Sequence, residues 1–234
     1  MNNRSVPIVA AVAAMGVCAA GCQTPRHVTV PSMPPLIPAP KPSVFWTEPF
    51  NLLDLHRWRD ISVTGQTRYA AVTLDGRPCL RAQSQAGASI LVSTVRFDPH
   101  LYPWLSWDWR VDQFIAKEAL DRTEGSDASA RVYVYFHTKG LPWQKRNLDY
   151  VWSSVLPVET LLTSPFSAES KILVAESGTD AVGRWRSIRR NLEADYRKAF
   201  GTDAPRVLAI GIMTDTDSTG GAAVAYVDDL RVSR

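Results

Sequence analysis

The chain has 234 residues, 45% of them hydrophobic and 21% charged, which excludes a disordered polypeptide unable to bury enough apolar surface to offset its ordering entropy. Thirteen glycines and three cysteines exclude collagen-like and disulfide-dense classes. The 26 basic against 23 acidic residues leave a net charge of +3 with no Lys/Arg run, so nucleic acid is not an expected partner.

Residues 1–21 read as a signal peptide. Arg4 supplies a positive start, and Val6 to Ala20 form an apolar run of small residues too short to cross a bilayer core of roughly 30 Å. The run ends in Ala19-Ala20-Gly21-Cys22, which resembles the bacterial lipobox, although Ala19 stands where that motif most often has Leu. The resemblance implies cleavage before Cys22, acylation of Cys22 and a membrane anchor of several acyl chains. Gln23, rather than Asp, follows the cysteine and by the same resemblance favours the outer membrane, facing the periplasm. The alternative is an ordinary secretory signal with Cys22 incidental.

Residues 22–44 hold the lipidated cysteine and seven of the sixteen prolines: Pro25, Pro31, Pro34, Pro35, Pro38, Pro40 and Pro42. Proline fixes φ and lacks an N–H, so the segment reads as a polyproline-like stalk or a disordered leader. Residues 45–234 then form one domain without a further linker-like break. Its Cys79 is the one remaining thiol and reads as a small buried apolar residue.

Within the domain, strands are expected at Tyr69–Leu74 and Cys79–Gln83, joined by a type I′ turn at Asp75-Gly76. Further strands follow at Ser89–Phe97, Leu105–Val111, Arg131–His137, Asp149–Leu156, Lys171–Ala175, Arg184–Arg190, Val207–Met213 and Ala222–Val232. One helix is expected over Asn191–Phe200, with Asn191 as N-cap and Gly201 closing it. Short helices are expected near Phe114–Leu120 and Val158–Leu162. Many strands and few helices imply an all-β fold, a two-layer antiparallel β-sandwich of jelly-roll type.

Strand alternation supplies the candidate binding residues. Val132, Val134 and Phe136 must face the inter-sheet core, leaving Arg131, Tyr133, Tyr135 and His137 on the outer face. Arg110 projects the same way from the Trp-rich strand, and Tyr150 and Trp152 share one face of the following strand. If these strands are neighbours, the seven residues form an aromatic floor rimmed by guanidinium groups. Sugar rings bind such floors by stacking their C–H faces on aromatic rings while polar groups take the hydroxyls. The bland alternative is a second core covered by loops.

Asp215-Thr216-Asp217-Ser218-Thr219-Gly220 matches the opening of a calcium loop, with Asp228 as a further carboxylate, but position twelve is Tyr226 rather than Glu. No cofactor is implied beyond that calcium ion. An Asp/Gly hairpin is the structural alternative. Motifs for a nucleophile elbow, a zinc protease, a phosphate loop or a zinc cysteine pair are absent, so a non-enzymatic reading leads.

The domain also resembles a bacterial envelope family known as domain-of-unknown-function family 3047. The resemblance is carried by Leu105–Val111, Asp127–Phe136, Leu148–Trp152, Arg190-Asn191, Asp195-Tyr196-Arg197, Phe200-Gly201, Gly211–Gly220 and Ala225–Asp229. That family has no established activity and so implies no catalytic residue. Tyr226–Leu230 is similar to the last strand of jelly-roll carbohydrate-binding modules. The expectation is a lipid-anchored envelope protein whose sandwich binds a glycan or similar polar ligand. The alternatives are an assembly lipoprotein that binds a protein partner and a glycan-cleaving enzyme.

Overall fold

A computed structural model describes residues 43–138 and 145–234. The signal peptide, Cys22 and the proline-rich segment to residue 42 lie outside the described residues. Among the described residues, no helix is long and apolar enough to cross a membrane.

Thirteen strands and one helix are present among the described residues. In chain order they are β1 (Val44–Glu48), β2 (Trp58–Thr64), β3 (Arg68–Leu74), β4 (Arg77–Gln85), β5 (Ala88–Ser93), β6 (Trp104–Gln113), β7 (Arg131–Phe136), β8 (Arg146–Ser153), β9 (Leu161–Ser164), β10 (Ser167–Ser177), β11 (Arg186–Asn191), α1 (Leu192–Phe200), β12 (Val207–Met213) and β13 (Ala222–Ser233). They form a two-layer sandwich. One sheet runs β11-β6-β13-β4-β3 with β1 also on β13, and the other runs β2-β5-β12-β7-β8-β10-β9. Pairing is antiparallel except between β8 and β10, which run parallel.

The core forms where the alternating apolar sets of the two sheets meet. Leu105, Trp107, Trp109 and Val111 of β6 face Val132, Val134 and Phe136 of β7 and Leu148, Tyr150 and Trp152 of β8, all fully or almost fully buried. In β13 the inward set changes parity, from Ala225 and Val227 to Leu230 and Val232. A bulge between Asp228 and Arg231, with Asp229 at φ 50°, makes that change and keeps both halves of a twelve-residue strand apolar toward the core.

Local chemistry explains the connections. Asp75 and Gly76 sit at φ 52° and 79°, the two positive values a type I′ hairpin needs between β3 and β4. Asn191 Oδ1 accepts from Ala194 N at 3.0 Å, and Gly201 at φ 72° returns its N–H to the Arg197 carbonyl, so α1 is capped at both ends. Its Tyr196 ring lies 4.7 Å from Phe136 and closes one edge of the core.

Three local expectations are corrected. Phe114–Leu120 is irregular, and the helical turn falls at Thr123–Gly125 instead. Leu161 and Leu162 open strand β9, because they find partners in Leu173 and Ile172 of β10. Strands β1 and β2 were unexpected; six of the seven β2 residues are exposed, so this edge strand carries no in–out alternation to read.

Candidate functional site

The outer face of the seven-stranded sheet carries a concave pocket of about 360 Å³, within the ~300–1,000 Å³ range of small-molecule sites. Its floor comes from β7 and β8, where Tyr133 pairs with Asp149 across the ladder and Arg131 with Val151. The loop after β12 (Asp215, Asp217, Ser218) and Ser126 form one wall; Ser164 and Phe166 at the β9–β10 turn, Val63 and Thr64 of β2, and Ile90 and Met213 complete the lining.

Tyr133 and Tyr135 follow each other on one face of β7, and their rings stack at 5.8 Å with 12° between planes. Both stay partly exposed, backed by Ile90, Val92 and Met213. Gly211, paired with Tyr133, makes that backing fit: a Cβ there would lie 2.8 Å from Ile90 Cδ1. Burial raises both tyrosine hydroxyls well above their ordinary value, so the rings are neutral.

Arg131 is not a free rim group. It is 3% exposed. Its Nη1 donates to Asp149, its Nε donates to Asp215 Oδ1 at 2.8 Å, and its Nη2 donates to the Ser126 carbonyl at 2.6 Å. Burial works against its charge, but Asp149 and Asp215 outweigh that and keep the guanidinium protonated. The residue therefore ties the floor together rather than presenting donors to a ligand.

The carboxylates are the less compensated side. Burial pushes Asp215 up to about 6 and raises Asp149 as well, in each case against the pull of Arg131. Asp215 Oδ1 also accepts from Ala128 N. Asp149 Oδ1 is buried without a hydrogen-bond partner among the described residues, although the Tyr133 hydroxyl lies near enough to favour its ionised form. Asp127 brings a ligating oxygen within 4.8 Å of those of Asp215 and Asp217, but accepts from Ser218 N, Thr219 N and Thr219 Oγ1.

The structure gathers Arg131, Tyr133, Tyr135, Asp215 and Asp217 and disperses the other sequence-nominated residues. Tyr150 and Trp152 lie fully buried between the sheets, not on the outer face. Trp152 Nε1 donates to the Gly178 carbonyl and the Tyr150 hydroxyl donates to Asp195 Oδ2, which fixes both inward. Arg110 is on the other sheet, held by Asp112 and Asp75. His137 lies just past β7, exposed, and lines a separate hollow with Arg146, Glu169, Tyr196 and Asp203. Asp228 is also on the other sheet and takes Arg77 Nε at 2.5 Å, so it cannot join Asp215 and Asp217 around one calcium ion. Asp149, Asp127 and Ser126 were not nominated from the sequence. Asp149 was readable as the residue opposite in parity to Leu148, Tyr150 and Trp152.

The chain is thus a two-layer jelly-roll-type sandwich with one stacked aromatic pair set beside a buried acidic cluster. It belongs to the family described as protein of unknown function (DUF3047), whose model matches residues 56–231. No curated protein matches it. Among solved structures it is similar to the family 30 carbohydrate-binding module of the cellulosomal cellulase Cel9D-Cel44B of Clostridium thermocellum, at 14% identity over 74% of this chain and 90% of that one, TM-score 0.42. It is also similar to the CBM22-1 xylan-binding domain of Paenibacillus barcinonensis Xyn10C, at 8% identity over 82% and 94%, TM-score 0.40. A third is the xyloglucanase domain of NopAA from Sinorhizobium fredii in complex with cellobiose, at 10% identity over 82% and 100%, TM-score 0.39.

Proposed function

We propose that this domain binds a saccharide, without cleaving it, in the pocket over β7 and β8. The observation that carries the reading is the stacked Tyr133–Tyr135 pair beside an Asp149 whose Oδ1 has no hydrogen-bond partner among the described residues. A pyranose offers flat C–H surface to the ring pair and hydroxyl donors to a carboxylate oxygen, and a buried acceptor left unpaired costs about 1–3 kcal/mol until a donor arrives. The apolar lining from Val63, Ile90, Met213 and Phe166 excludes water around those contacts.

Calorimetric titration of the full chain with neutral and N-acetylated oligosaccharides tests this. At least one oligosaccharide is expected to bind, and Tyr133→Ala is expected to weaken it by about tenfold or more, the loss of one stacking platform. Binding that is equal in the parent and Tyr133→Ala would rule the pocket out.

We propose as well that the domain sits on the periplasmic side of the outer membrane, tethered through an acylated Cys22 and the proline-rich segment, a reading supported by the lipobox-like Ala19-Ala20-Gly21-Cys22 run. Labelled palmitate is expected to enter the chain and to be lost in Cys22→Ser. Incorporation that persists in that variant would refute the anchor.

A further inference from the structure

Among the described residues, the pocket carries more negative charge than its cation answers. Asp149, Asp215 and Asp217 line it, and Arg131 is the one basic residue in the lining among those residues. All three of the Arg131 nitrogens are already engaged. Asp149 is 1% exposed with an unpartnered oxygen, and a carboxylate is buried at large cost unless something positive or strongly donating meets it. The raised values of Asp215 and Asp149 agree with negative charge that the interior leaves uncompensated.

We infer that the saccharide taken by this pocket carries a protonated amine, as an amino sugar does, seated between Asp149, Asp217 and the Tyr133–Tyr135 pair. The inference rests on the pocket being the saccharide site. An ammonium suits this set because it brings one charge and several N–H donors, and it can rest against aromatic faces. A divalent metal suits it less. It takes about six oxygen ligands, waters included, and the carboxylates nearest one another are already engaged: Asp127 by three donors and Asp215 Oδ1 by two.

The test is a matched pair titrated into the full chain: an oligomer of glucosamine against the same oligomer fully N-acetylated, at a pH where the amine is protonated. The amino form is expected to bind about tenfold tighter, as a charge-assisted contact contributes. That advantage is expected to shrink to about threefold or less in Asp217→Asn, and to shrink in the unmutated chain as salt is raised. Equal affinities for the two oligomers would overturn the amine while leaving the saccharide site in place. Failure of both to bind, together with every neutral oligosaccharide, would overturn the site itself. Displacement of the amino oligomer by millimolar calcium would overturn the assignment in favour of a metal.

Discussion

Replacing Arg131 with methionine is expected to destabilise the domain by about 3–5 kcal/mol, because it leaves Asp149 and Asp215 buried without their shared cation. For a domain of this size the melting temperature is expected to fall by about 10 °C. The loss has a pH signature. With Asp215 at about 6 in the folded chain, above the usual carboxylate value, the folded state holds that proton more tightly than the unfolded state. Stability from this group is therefore gained on acidification through pH 6 and lost as pH rises, by about 1 kcal/mol between pH 5 and 7 in the parent. Without Arg131 both carboxylates lose the influence that lowers them, so the gain on acidification is expected to grow. Denaturation midpoints of parent and variant at several pH values measure it. A variant as stable as the parent at pH 7 would contradict the account of the floor.

Trp152→Ala is expected to cost about 3–5 kcal/mol, the usual result of emptying a large aromatic site in a core. Its ring lies 5.8 Å from Trp109 and 5.7 Å from Phe114, and its Nε1 satisfies the Gly178 carbonyl. Because the side chain points away from the pocket, the fraction that remains folded is expected to bind oligosaccharide with unchanged affinity. Thermal melts combined with calorimetry at a temperature where the variant is folded separate the two. Lost affinity with an unchanged melting temperature would move Trp152 to the ligand face.

These two substitutions mark where the sequence was legible. The alternation in Arg131–Phe136 has one apolar set and one mixed set, so its in–out parity is readable, and the structure places Val132, Val134 and Phe136 inside. The next strand has aromatic residues at Tyr150 and Trp152, and aromatics suit either a core or a sugar platform. Leu148 shares their parity and points inward with them, which leaves Asn147 and Asp149 as the polar face opposite Tyr135 and Tyr133. Asp149 is thus a cross-strand neighbour of Tyr133, a relation visible only once the two strands are known to be adjacent.

The loop acids divide for a similar reason. Asp215 and Asp217 are close in sequence and stay close in space. Asp127 joins them from 88 residues earlier, through the segment before β7, and local spacing carries no trace of such a contact. Asp228 is nearer in sequence than Asp127 but sits on β13 in the opposite sheet, where Arg77 bridges it to Asp108. The caps of α1 and the Asp75-Gly76 turn were readable because one residue type satisfies each backbone need. The exposed edge β2 was not, since solvent imposes no pattern on it.

The most direct test follows backbone amide resonances while an oligosaccharide is titrated into the protein. The account predicts shifts concentrated at Ile90, Tyr133, Asp149, Met213 and Asp215–Ser218, the residues around the pocket. Shifts centred instead on Arg110, Arg77 and Asp228 of the other sheet would contradict it.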